Sequence, residues 1–189
     1  MTTGHVFMAQ SLDGFVARPN HGIDWLTKLP SVGSDYGYKA FAASVDGIVM
    51  GRGSFETVLE FGDWPYDKPA VVMSKSLKPD DIPPELKDVV RLSTLEPAAL
   101  MQQLDEEGWS RAYVDGGRLV QSFIRAGLVE DIVLSIVPIL IGEGLRLFGS
   151  LPQDIDLELR DSTSFDNGLV QLEYRLIPTY PEEARDRTS

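Results

Sequence analysis

Apolar strands and amphipathic helices alternate from His5 to about Gly127, and then the alternation stops. His5–Ser11, Ile48–Met50, Ala70–Ser74, Val89–Leu92 and Arg111–Val114 read as short strands. Asp35–Ala43, Ser54–Phe61, Glu96–Glu107 and the segment after Gly117 carry helical spacing, with Pro97 suited to a first helical position. Parallel neighbours need crossover connections of about a dozen residues or more, which such helices supply. The pattern therefore predicts an α/β chain with a mostly parallel sheet. After Gly127 come three long strands, Ile132–Leu140, Leu157–Phe165 and Leu169–Ile177. Asp166-Asn167-Gly168 joins the last two and signals a hairpin, so the sheet should end in antiparallel strands. One domain is expected over residues 1–178, followed by a polar tail at 179–189.

Composition narrows the function. The chain of 189 residues has no cysteine, which removes disulfides, a thiol nucleophile and a cysteine-based metal site. His5 and His21 stand apart without metal-ligand spacing, so no metal is expected. Ser11 has no histidine near it in sequence, so a hydrolytic triad has no support. No apolar run approaches the roughly 20 residues that span a bilayer. The start of the chain lacks a secretory pattern, and a cytoplasmic protein without a membrane partner is expected. A net charge of −12 repels nucleic acid, so a small-molecule ligand is the expected partner. Any anionic ligand then needs a concentrated basic spot.

Three glycine turns follow apparent strands. Gly51-Arg52-Gly53-Ser54 follows Ile48–Met50, Asp115-Gly116-Gly117-Arg118 follows Arg111–Val114, and Gly142-Glu143-Gly144 follows Val137–Ile141. Glycine admits close backbone approach, and a helix start offers free N–H groups with a positive dipole end. The arginines add planar, permanently charged forks for phosphate. Neither helix-opening turn has the G-x-G-x-x-G spacing, which disfavours a standard Rossmann site. Ser74 and Lys75 end the third strand and could bind the extra phosphate of NADPH, or could form an ordinary polar turn. Asp13, just past the first strand, is either a substrate ligand and acid or a turn cap.

Together these motifs resemble a known family. Ser11-Leu12-Asp13-Gly14, Val49-Met50-Gly51-Arg52 with Ser54-Phe55-Glu56, Val72-Met73-Ser74, Val114-Asp115-Gly116-Gly117 and Pro138-Ile139-Leu140-Ile141-Gly142-Glu143-Gly144 occur in this order. They resemble the dihydrofolate reductase-like superfamily. The nearer branch contains the reductase domain of riboflavin biosynthesis, the RibD C-terminal domain, and its stand-alone bacterial relatives. The resemblance implies a three-layer α-β-α fold with a C-terminal antiparallel hairpin and NADPH in an extended pose. By position, Gly51, Arg52, Gly53 and Ser54 would hold the pyrophosphate and adenosine-phosphate side, and Ser74 and Lys75 would flank the 2′-phosphate. Gly116, Gly117, Arg118 and Leu119 would lie against the pyrophosphate and nicotinamide. Met8-Ala9 and Val16-Ala17 would edge the nicotinamide.

The resemblance places the substrate less sharply. Asp35 matches the pteridine-binding carboxylate of dihydrofolate reductases, or else caps its helix. Trp25 matches a pocket-lining tryptophan, or else anchors packing. Gly142, Glu143 and Gly144 complete the substrate candidates. Asp13 and Asp35 are the candidate proton donors. The reading is an NADPH-dependent reductase that transfers hydride to a small polar heterocycle or a ribosylaminopyrimidine. The alternatives are a true dihydrofolate reductase and a non-catalytic NADPH-binding regulatory protein. The apolar edges of the last three strands need cover, and a homodimer is expected.

Overall fold

Strand alternation with period two gives this sheet two apolar faces, and helices from the intervening segments cover both. A computed structural model describes residues 1–30, 33 and 35–177. Ser31, Val32, Ser34 and 178–189, which contain the expected polar tail, lie outside the described residues. The strands are β1 (Thr3–Ser11), β2 (Phe15–Ala17), β3 (Gly47–Gly51), β4 (Ala70–Met73), β5 (Val90–Ser93), β6 (Arg111–Asp115), β7 (Val129–Val137), β8 (Leu145–Arg146), β9 (Leu157–Ser164) and β10 (Val170–Leu176). The α-helices are α1 (Tyr38–Ser44), α2 (Arg52–Leu59), α3 (Pro97–Glu106) and α4 (Gly117–Arg125).

Eight strands form one sheet in the order β5-β4-β3-β6-β1-β7-β10-β9. The first six are mutually parallel, and β10 runs against both β7 and β9. The alternating part of the sequence thus makes the parallel sheet, and the last hairpin supplies the reversed strand. Val6, Val49, Val71 and Val114 face the layer of α3 and α4, where Leu100, Met101, Leu104 and Phe123 are fully buried. Phe7, Ile48, Met50, Val72 and Tyr113 face the other layer, with Phe55 of α2 and Phe41 of α1. Truncating a core side chain such as Phe123 to alanine costs about 3–5 kcal/mol.

Three local differences from the sequence pattern have physical causes. The stretch Leu12–His21 contains β2, which pairs with β8 in a two-stranded ribbon outside the main sheet. A Cβ on Gly144 would collide with the Ala17 carbonyl, so glycine there permits the pairing. The strand expected at Ile132–Leu140 begins at Val129 and stops at Val137, because Pro138 has no N–H for the ladder. The helix expected from Asp35 begins at Tyr38 instead. Asp35 Oδ2 accepts the Lys39 N–H at 2.9 Å, its Oδ1 accepts the Gly37 N–H at 3.2 Å, and its carbonyl accepts the Tyr38 N–H.

The hairpin at Asp166-Asn167-Gly168 forms as its sequence predicts. Gly168 has φ +85°, and the Phe165 N–H bonds to the Leu169 carbonyl at 2.9 Å. Far from that turn, the buried His5 pairs with Thr3 Oγ1 at 2.9 Å and with Asp131 Oδ2 at 2.8 Å. It thereby ties β1 to β7. Among the described residues, no helix is long and apolar enough to cross a membrane.

Candidate active site

β3 and β6 are adjacent and parallel, and Met50 lies opposite Asp115. Both strands therefore deliver their glycine turns to the same edge of the sheet, and α2 and α4 begin there side by side. Their free N–H groups and positive dipole ends converge at that edge. Gly116 has φ +105°, which L side chains rarely adopt, and a Cβ there would lie 2.6 Å from Ser54 Oγ. That contact packs one turn against the other. A Cβ on Gly117 would meet the Arg146 carbonyl at 2.9 Å and Val16 Cγ2 at 3.0 Å, so the β2–β8 ribbon closes over the second turn. His21, itself at φ +67°, rests its ring on Gly53.

A cavity of about 730 Å³ opens over this edge. The structure gathers Ala9, Val16, Gly51, Arg52, Gly53, Ser54, Gly116, Gly117, Arg118 and Leu119 along it. Ser74 and Lys75 line a smaller cavity of about 170 Å³ that shares Met73, Leu119 and Ser122 with the larger one. Arg52 bridges toward this second space: its Nε donates to Glu56 Oε1 at 2.6 Å and its NH1 to Ser76 Oγ at 3.0 Å. Lys75 Nζ donates to Glu96 Oε1 at 2.8 Å. Both ion pairs are exposed, and such pairs contribute about 1 kcal/mol or less, so an arriving phosphate can displace them.

The other predicted residues lie away from the cavity lining. Asp13 Oδ2 accepts the Gly142 N–H at 2.7 Å, and both its oxygens accept the Ile141 N–H. A hydrogen bond from Ser11, followed by these backbone donors, holds its carboxyl below the usual range. Asp13 thus clamps the Gly142–Gly144 loop to the end of β1, and Glu143 is exposed on that loop. The Lys39 and Gly37 N–H groups hold the Asp35 carboxyl below its usual range as well. Trp25 is fully buried in a cluster with Val137 and Leu169, while its neighbours Ile23 and Leu26 reach the cavity.

Asp115 stands in the second glycine turn without a local sequence mark of a role of its own. Its side chain lines the cavity, accepts a hydrogen bond from Tyr113 Oη at 3.3 Å and bonds to the Ser54 hydroxyl. Burial pushes its carboxyl above the usual range, against the lowering effect of those hydrogen bonds. Tyr113 Oη also lies 3.0 Å from the Phe7 carbonyl. Burial and the Asp115 charge raise the Tyr66 and Tyr113 phenols, so both stay neutral. Strand alternation carried the missed signal: Tyr113 and Asp115 are two residues apart on β6 and share a face.

The matching family model is the RibD C-terminal domain, over residues 2–171. The chain belongs to that family. YwjB of Bacillus subtilis, an uncharacterised protein, is 30% identical over 172 residues, which cover 89% of this chain and 95% of YwjB. A crystal structure from Shewanella sp. PV-4, provisionally assigned to riboflavin biosynthesis, is 34% identical with a TM-score of 0.88, covering 94% of this chain and 100% of that one. A Thermotoga maritima deaminase/5-amino-6-(5-phosphoribosylamino)uracil reductase superposes at TM-score 0.72 and 13% identity, over 93% of this chain and 57% of that chain. These likenesses establish the dihydrofolate reductase-like fold and place the chain in a family of riboflavin-biosynthesis-like reductases.

Proposed function

We propose that this RibD C-terminal family member is an NADPH-dependent reductase acting on a small ring compound. One observation carries the reading: two glycine turns with arginines meet at one sheet edge, and the buried Asp115 carboxyl, hydrogen-bonded to the Ser54 hydroxyl and the Gly116 N–H, lies beside them in the same cavity lining. The fit to a dinucleotide rests on the two helix starts and two arginines along one cavity, while the glycines at 53, 116 and 117 let those turns pack closely against His21, Ser54 and Arg146. Gly51–Ser54 and Gly116–Leu119 would hold the pyrophosphate, Arg52 with Ser74 and Lys75 the 2′-phosphate, and Ala9 and Val16 the nicotinamide edge. NADPH supplies a hydride when bound.

Reduction of a C=N or C=O bond adds a hydride to carbon and a proton to the heteroatom. We assign the proton to Asp115, because burial keeps its carboxyl protonated to higher pH than an ordinary aspartate. Asp13 and Asp35 direct their oxygens to backbone N–H groups and serve the surrounding loops. Ser54 and Tyr113 orient the Asp115 carboxyl, and the aromatic wall excludes water from it. Residues 1–178 would act as one catalytic domain in the reducing cytoplasm. The exposed β9 edge, with Leu157 and Leu159, would pair with a second copy in a homodimer.

The test is an NADPH titration by fluorescence, followed by turnover on a panel of pteridine, flavin-precursor and ketone substrates. NADPH binding with oxidation by at least one panel member supports the reading. Binding without any oxidation favours the regulatory alternative.

A further inference from the structure

Burial, and then the charge of Asp115, keeps three phenols neutral: those of Tyr38, Tyr66 and Tyr113. Tyr66 and Tyr113 line the cavity together with Asp115, and Tyr38 does not. The Tyr113 hydroxyl is already engaged, at 3.0 Å from the Phe7 carbonyl and 3.3 Å from Asp115 Oδ1. Tyr66 stands on the connection between α2 and β4. Its ring meets Trp64 edge-on at 5.1 Å, and Trp64 meets Phe55 of α2 at 6.0 Å. Those contacts fix the ring. The Tyr66 hydroxyl has no hydrogen-bond partner among the described residues, and it is not sealed from solvent.

The other hydroxyls of the lining have acceptors within reach. Ser54 bonds to Asp115, and Ser122 donates to the Arg118 carbonyl at 3.1 Å. Thr57 lies inside α2, where a threonine hydroxyl can turn back to the carbonyl four residues earlier. Tyr66, on a connection, has no such local acceptor. A tyrosine hydroxyl taken out of water needs a partner, and an arriving ligand can bring one. A neutral phenol offers one O–H donor, which suits an uncharged oxygen. We infer that Tyr66 is a substrate-binding residue whose hydroxyl donates to a carbonyl oxygen on the substrate ring, apart from the bond reduced beside Asp115. The inference deepens the reductase reading and rests on it. The substrate is then a ring compound with a carbonyl as its second acceptor. Tyr66 holds that carbonyl, and Asp115 delivers the proton.

The experiment uses the full chain. NADPH is titrated first, and failure of the wild-type protein to bind it overturns the reductase reading and this inference with it. NADPH-loaded wild type and Tyr66→Phe are then titrated calorimetrically with two carbonyl-bearing rings, a dihydropterin and a ribosylaminouracil nucleoside. Wild type should bind at least one of them. Tyr66→Phe keeps the ring against Trp64 and should bind that compound about tenfold more weakly, with NADPH affinity unchanged. The infrared C=O stretch of the bound compound should move to higher frequency in Tyr66→Phe, because the carbonyl has lost a donor. A purely structural hydroxyl would leave that band in place. Binding of neither compound by wild type overturns the inference and leaves the reductase reading intact. Unchanged affinity in Tyr66→Phe, an unshifted band, or a parallel loss of NADPH binding does the same.

Discussion

The two walls of the cavity are built from different parts of the chain. Toward α4 and the start of α2, ligand-facing atoms come from main chain exposed by glycine, with Gly116 pressed against Ser54. The rest of the lining comes from side chains delivered by β1, β6, α2 and the segments around Ile23 and Tyr66. A main-chain wall recognises what every dinucleotide shares, its phosphates. A side-chain wall recognises a particular substrate, and it can change without disturbing the fold.

The largest effect should come from the side-chain wall. Asp115→Asn should lower turnover by roughly a hundredfold to ten-thousandfold, the range that general acids supply. NADPH affinity, read by fluorescence, should stay unchanged, and a parallel loss of binding would break the division between the walls. The same residue sets a pH limit. Its pKa is raised in the fold, so turnover should fall as pH rises through that pKa. The pH–rate profile of Asp115→Asn should lack this limb.

On the main-chain wall, Gly116→Val forces a branched side chain into φ +105° and onto Ser54. NADPH should bind more than about tenfold more weakly, and Tm should fall. Arg52→Ala should weaken NADPH by about tenfold and NADH far less, because one charged fork on the extra phosphate is lost. Equal losses for both cofactors would remove Arg52 from the 2′-phosphate.

The smallest effect should come from Asp13→Asn, outside both walls. Its folded-state pKa lies below the unfolded one, so its hydrogen bonds add stability above the usual carboxyl range. That stability is lost as pH falls through the folded pKa. The variant should lower Tm modestly at neutral pH and little under acid, with KM for NADPH unchanged. A large rise in KM would bring Asp13 back into the site.

How much of this was legible in the sequence follows the same division. Gly51-Arg52-Gly53-Ser54 and Gly116-Gly117 could be read because glycine after a strand has few other uses, and β3 and β6 do bring them together. Asp115 in Val114-Asp115-Gly116-Gly117 carries no local mark of the acid role proposed for it, since that role depends on Tyr113, Ser54 and burial beside Phe7. Asp35 and Asp13 attracted attention as loop carboxylates. Nothing local distinguishes a carboxylate that caps backbone N–H groups from one that meets a ligand. The β2–β8 ribbon was hidden for a related reason: strands of three and two residues are too short for periodicity to show.

The sequence by itself determined the sheet. Alternating strand and helix periods enforce parallel crossovers, and Asp166-Asn167-Gly168 enforces the reversed strand, because both are local steric and hydrogen-bonding rules. Only the tertiary structure decided which carboxyl enters the cavity and how far it is taken out of water. Those properties arise where segments far apart in the chain exclude water together, and desolvation has no signature in any one of them.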